Sequence, residues 1–169
     1  MAKSALNFLR QVSLFRDIAD NEREAIWSRL EQRRLRRGEA LFRERDAGTE
    51  MFFIHTGTVI VSKYVAGRVE HVLARLGPGD FFGEMSLFDG QPRSATIQGE
   101  TDTVLYSLDR ASLDELIEQN PRAATAFFHQ LVLVFIKRLR ESSDLVAEVT
   151  RWGLEATGLN VDRPATGGH

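Results

Sequence analysis

Residues 51–82 read MFFIHTGTVIVSKYVAGRVEHVLARLGPGDFF, and the fold turns on them. Met51-Phe52-Phe53-Ile54 stops short of Gly57, Val59-Ile60-Val61 follows, and Gly67 separates that run from Val69 to Leu76. Gly77-Pro78-Gly79-Asp80 makes a tight turn before Phe81-Phe82. Short runs rich in β-branched and aromatic residues, punctuated by turn residues, predict strands. Working outward, Leu41-Phe42 after Gly38, Ser94 to Ile97 and Val104 to Leu108 extend the pattern. Many strands at short, fairly even intervals over 33–110 predict a β-sandwich or barrel, with a jelly roll (a double-stranded β-helix) expected.

Helical patterns flank this core. Leu14, Phe15 and Ile18 lead to Asp20, an N-cap candidate, then to acidic Glu22 and Glu24 and an apolar stripe at Ile26, Trp27 and Leu30. After the strands, Ser112 reads as an N-cap for residues 113–117, and Asn120-Pro121 interrupts before a helix expected from Arg122 to Trp152. Along that helix Phe128, Leu131, Phe135, Arg138, Ser142, Leu145, Val149 and Trp152 recur at spacings of three and four, a heptad seam with two polar positions. The fold class expected is mainly β with flanking helices (α+β). One domain is expected over 8–152, with a jelly-roll core at 33–110, helices at 112–152 and a mobile tail over 153–169.

Composition narrows the function. The 169 residues suit one core, and 43% hydrophobic with 27% charged residues is ordinary for a folded chain. Cysteine is absent, which removes disulfides, Cys-bearing zinc sites and thiolate nucleophiles. A net charge of −2 provides no general attraction to nucleic acid. The start lacks an apolar signal core and the longest apolar run, Leu131 to Ile136, is too short to span a bilayer, so a cytoplasmic protein is expected. His55, His71, His129 and His169 lack metal-ligand spacing, so no metal or other cofactor is expected. The basic residues Arg33, Arg34, Arg36, Arg37, Arg43 and Arg45, diluted by Glu31, Glu39 and Glu44, read as a solvated strand face.

One segment carries recognisable chemistry: Phe81-Phe82-Gly83-Glu84-Met85-Ser86-Leu87-Phe88-Asp89-Gly90-Gln91-Pro92-Arg93-Ser94-Ala95-Thr96. A strand ending at Gly83 and a short helical turn over Glu84 to Phe88 would present backbone amides to an anion. Arg93 carries a planar fork suited to phosphate oxygens, and ionised Glu84 accepts from a hydroxyl such as that of ribose. A structural Glu–Arg ion pair fits the same residues.

This segment resembles the phosphate-binding cassette of cyclic nucleotide-binding domains, the module of bacterial catabolite activator proteins, protein kinase A regulatory subunits and nucleotide-gated channels. Gly83-Glu84-Met85-Ser86-Leu87 and, after a spacer, Arg93-Ser94-Ala95 match that family's pattern on both sides. Phe53-Ile54 with Gly57, residues 76–81 and Asn120-Pro121 are similar to its other landmarks, over about residues 8 to 150. Arg45 stands where the family usually has Gly, a departure expected to matter only to a local turn away from the cassette.

The resemblance implies roles. Glu84 and the Gly83 amide would hold a ribose 2′-hydroxyl. Arg93 would pair with the cyclic phosphate, helped by the amides of Ser86 and Ser94 and the Ser94 hydroxyl, with Met85 and Ala95 completing the cassette. Val61, Leu73 and Ala74 match positions lining the sugar and base. Arg138, Ser142 and Ser143 match a lid helix that faces the base, while Arg138 and Ser142 also fit a register role in a seam. A Ser after the cassette Arg implies cyclic AMP, with cyclic GMP the alternative. The expected function is a regulatory binding module, not an enzyme and without catalytic residues, signalling through movement of its C-terminal helix. That helix is expected to form a homodimer, and an effector protein is implied, with neither DNA nor membrane contact. Only about seventeen residues follow Trp152, too few for a helix-turn-helix, so a stand-alone sensor is expected. The sensor half of a transcription factor, an interaction scaffold without ligand, and a jelly-roll enzyme are the other classes open.

Overall fold

The computed structural model describes residues 2–65 and 69–157. In chain order these form α1 (Ala2–Gln11), a single 3-10 turn (Ser13–Phe15), α2 (Asp20–Trp27), β1 (Glu31–Leu35), β2 (Ala40–Phe42), β3 (Glu50–Thr56), β4 (Val59–Val65), β5 (Val69–Leu76), β6 (Phe81–Phe82), α3 (Glu84–Asp89), β7 (Thr96–Gly99), β8 (Thr103–Asp109), α4 (Arg110–Gln119) and α5 (Pro121–Ala156). Gly67 and residues 158–169, named above for a turn and a tail, lie outside the described residues. The expected tail begins later than Gly153, because α5 continues to Ala156.

The strands pair antiparallel into two four-stranded sheets, ordered β1-β8-β3-β6 and β2-β7-β4-β5. Strand order departs from chain order in both, as a jelly roll requires. β3 shows why Met51–Ile54 is apolar without alternation: all four residues are buried, so both faces of the strand are covered. Phe52 and Ile54 join the inner core with Leu35, Val59, Phe82, Ile97 and Leu105. Phe53 instead meets Phe15 at 4.9 Å between ring centroids, and Phe15 meets Phe127 at 6.0 Å. Each fully buried Phe contributes about 1.5–3 kcal/mol over an exposed one.

The chain divides into two compact units, residues 1–130 and 131–169. The first holds both sheets; the second holds most of α5, with Phe135, Leu139, Leu145, Val149 and Trp152 exposed along it. Among the described residues no helix is long and apolar enough to cross a membrane.

Two caps differ from expectation. Ala19, not Asp20, caps α2: Asp20 is the first helical residue and its carboxylate accepts from Arg23 at 2.7 Å. Asp109, not Ser112, caps α4, its Oδ1 accepting the Ser112 amide at 2.8 Å. Either Ser112 or Asp109 suits the position by type; β8 runs on to Asp109, so the helix starts three residues earlier. The Ser112 amide bond holds the Asp109 carboxyl below its usual range. Such a group stabilises the fold above its unfolded pKa of about 4, and that contribution is lost as pH falls through the lower folded value. Asp109→Ala should therefore cost about 0.5–2 kcal/mol in thermal unfolding at pH 7. The gap to the wild type should close as the pH is taken below 4.

Candidate functional site

β6 ends at Gly83, whose φ of 81° lies in the left-handed region, and α3 begins at the next residue. A non-glycine residue is costly there, so Gly83 is what allows the strand to turn directly into a helix. Glu84 and Ser86 are buried at 7% and 3% exposure, while Met85 between them is 54% exposed. The loop after α3 brings back Arg93, itself only 4% exposed. Two charged side chains are thus drawn inward within ten residues. Charged groups are seldom buried without a partner or a function.

Contacts with the first half of the chain seat Arg93. Its Nη1 donates to the Glu50 carbonyl at 2.7 Å and the Gly83 carbonyl at 3.1 Å. Its guanidinium carbon lies 4.1 Å from the Phe42 ring centroid and 5.7 Å from that of Phe52. The Nε–H has no hydrogen-bond partner among the described residues. Burial lowers the Arg93 pKa, while the charges of Glu50 and Asp46 raise it; an arginine so placed remains cationic. A cavity of about 480 Å³ opens at this seat, lined by Phe42, Asp46, Gly48, Glu50, Phe52 and Arg93 among others.

The backbone of Arg93 is tied to the same segment. Its N–H donates to the Asp46 carbonyl and its carbonyl accepts the Arg45 N–H, both at 2.8 Å. Arg45 has a φ of 73°, the conformation a glycine would hold without strain. The expectation that this turn lies away from the cassette is therefore corrected, since it is hydrogen-bonded directly to Arg93. The two segments are nearly fifty residues apart in sequence, and no local pattern reports the pairing.

Gly83, Glu84, Met85, Ser86, Arg93, Ser94 and Ala95 come together in one helix and its flanking loop, where the Ser94 hydroxyl donates to Met85 Sδ at 3.8 Å. Val61 and Ala74 are register partners on β4 and β5, and Val61 packs against the inner core. Leu73 falls at the β-bulge between Ala74 and Val72 and is 53% exposed. Arg138, Ser142 and Ser143 are exposed on α5 in the second unit, and the Ser143 hydroxyl donates to Leu139 O at 2.9 Å. Sequence reading missed Phe42, Gly48 and Glu50 at the Arg93 seat; Phe42 reads as one more core strand residue, and Glu50 acts through its backbone carbonyl. A cavity of about 1050 Å³ lined by Arg34, Arg36, Arg37, Glu39, Asp102 and neighbours contains no cassette residue.

The chain is similar in sequence and fold to known proteins. The Cyclic AMP receptor protein of Thermus thermophilus is 35% identical over 129 residues, 76% of this chain and 58% of the relative. A CRP-like cAMP-activated global transcriptional regulator of Mycobacterium tuberculosis is 28% identical over 141 residues, 83% of this chain and 61% of the relative. The chain thus spans about three fifths of the length of these curated relatives. The crystal structure of a cyclic nucleotide-binding domain from Methylobacillus flagellatus superposes with a TM-score of 0.76 at 28% identity, covering 87% of this chain and 83% of that one. The family model described as cyclic nucleotide-binding domain matches residues 32–120, which take in both sheets from Gln32 onward, the whole of α3 and Arg93. On that match, this chain belongs to the cyclic nucleotide-binding domain family.

Proposed function

We propose that the domain binds cyclic AMP at the α3 cassette and acts as a ligand-responsive regulatory module. The observation that carries this reading is the pair of buried charged side chains, Glu84 and Arg93, held on one short helix and its loop. A cyclic phosphodiester has one negative charge, which one guanidinium balances. Glu84, acceptor-only when ionised, takes the ribose 2′-hydroxyl. Val61 and Ala74 supply the apolar side of the pocket. Ser94 beside Arg93 favours adenine over guanine as the base.

The output is assigned to α5. A ligand moves such a helix only through its differential affinity for two positions of it. Arg138, Ser142 and Ser143 are the residues assigned to the base, and the apolar residues of the second unit are assigned to a second copy of the chain. Calorimetric titration with cyclic AMP and cyclic GMP tests the reading: tighter binding of cyclic AMP is expected, and no binding of either nucleotide overturns it. In the same experiment Glu84→Ala should weaken binding by about ten- to a hundredfold, the worth of one hydrogen bond to a charged acceptor.

A further inference from the structure

Arg93 is useful to a phosphate only if one edge of its guanidinium is presented in a fixed place. Three features of the first unit fix it. The Nη1 corner is held by the carbonyls of Glu50 and Gly83. The flat face lies over Phe42 at 4.1 Å, with Phe52 at 5.7 Å. The edge bearing Nε and Nη2 faces Gly48, where the three nearest atoms to a built Cβ all belong to the Arg93 side chain and would overlap it. That edge carries the buried Nε–H with no hydrogen-bond partner among the described residues.

We propose that Phe42 and Gly48 are positioning residues for Arg93, holding its guanidinium, before ligand arrives, in the place from which it pairs with the cyclic phosphate; the inference rests on the cyclic nucleotide reading above. The aromatic face attracts the cation and leaves its hydrogen-bonding edges open, which an aliphatic side chain of similar bulk does not do. Gly48 contributes an absence: any side chain there occupies the space of the guanidinium. Fixing the cation in advance removes the cost of immobilising a flexible side chain on binding. Neither residue touches ligand in this scheme; each acts through Arg93.

Nucleotide titrations on the full chain separate this from a packing role. Phe42→Leu keeps apolar bulk without the ring and should weaken cyclic AMP binding about three- to thirtyfold, while Phe42→Tyr, which keeps the ring face, should restore it. In an Arg93→Lys background, Phe42→Leu should have a clearly smaller effect, because the planar cation it positions is gone. In Gly48→Ala the three nearest atoms to the added Cβ all belong to the Arg93 side chain. It should weaken binding at least tenfold at a temperature where the variant is folded, with a lower melting temperature as Nη1 is pushed from the Glu50 and Gly83 carbonyls. Equal affinity of wild type and Gly48→Ala overturns the proposal whatever becomes of Phe42→Leu. An undiminished Phe42→Leu effect in the Arg93→Lys background also overturns it, by showing a packing role alone. Wild type that binds neither nucleotide overturns the parent reading and this one with it, whereas tight wild-type binding insensitive to Gly48 overturns this one alone.

Discussion

Arg93→Ala is expected to reduce cyclic AMP affinity by about thirty- to several-thousandfold, the 2–5 kcal/mol cost of truncating one partner of a buried, hydrogen-bonded charge pair. Calorimetric titration of the variant beside wild type reads this directly, and equal affinity would remove the cassette assignment. A second effect accompanies the first. Nη1 satisfies the Glu50 and Gly83 carbonyls, and its loss leaves both without that donor. A buried acceptor left unsatisfied costs about 1–3 kcal/mol, so thermal unfolding should show a lower melting temperature as well. Arg93→Lys should keep much of the charge but not the fork, and fall between the two.

Gly83→Ala is the other change expected to act strongly. At a φ of 81° a methyl-bearing residue is strained by about 1–3 kcal/mol. The added Cβ would also sit 2.8 Å from Arg93 Nη1 and 3.0 Å from the Glu50 carbonyl oxygen, pushing apart the contact that seats the cation. Strain and displacement coincide, so stability and affinity should fall together. Gly90→Ala is the control. Gly90 has a φ of 67°, but a Cβ there meets nothing within 4 Å. It should lower the melting temperature by about 2–4 °C per kcal/mol of strain and leave nucleotide affinity close to wild type. Gly90→Ala losing as much affinity as Gly83→Ala would separate the Gly83 effect from Arg93.

Most strands that sequence reading found have a buried face; β5, read from Val69 to Leu76, is an edge strand with no buried residue among those described. Met51–Ile54, Val59-Ile60-Val61 and Val104 to Leu108 carry runs of apolar residues because the core requires them there. β1 was harder to see: Glu31-Gln32-Arg33-Arg34-Leu35 has four exposed residues and one buried one, as an edge strand can. Arg33 and Arg34, read as a solvated strand face, are exposed on it. α1 was missed, although its Phe8 and Leu9 are buried in the core. At α4 the cap has the expected residue type in a different position, while at α2 the cap is Ala19, a type that no capping preference selects; where a helix starts depends on where the preceding strand or turn releases the chain.

The site divides the same way. The cassette was legible because a tight strand-to-helix turn needs glycine and because the two charges sit on one short stretch, all of it local chemistry written in consecutive residues. From sequence alone came the short strands of a jelly roll, a new helix after Asn120-Pro121, and the placing of Glu84 and Arg93 on one short stretch. Tertiary structure alone decided what holds Arg93: the ring of Phe42, the missing side chain at Gly48, the carbonyl of Glu50 and the strained turn at Arg45. Those contacts span more than forty residues, and three are made by backbone or by empty space. A backbone carbonyl is the same in every residue, and an absent Cβ has meaning only once its neighbour is known.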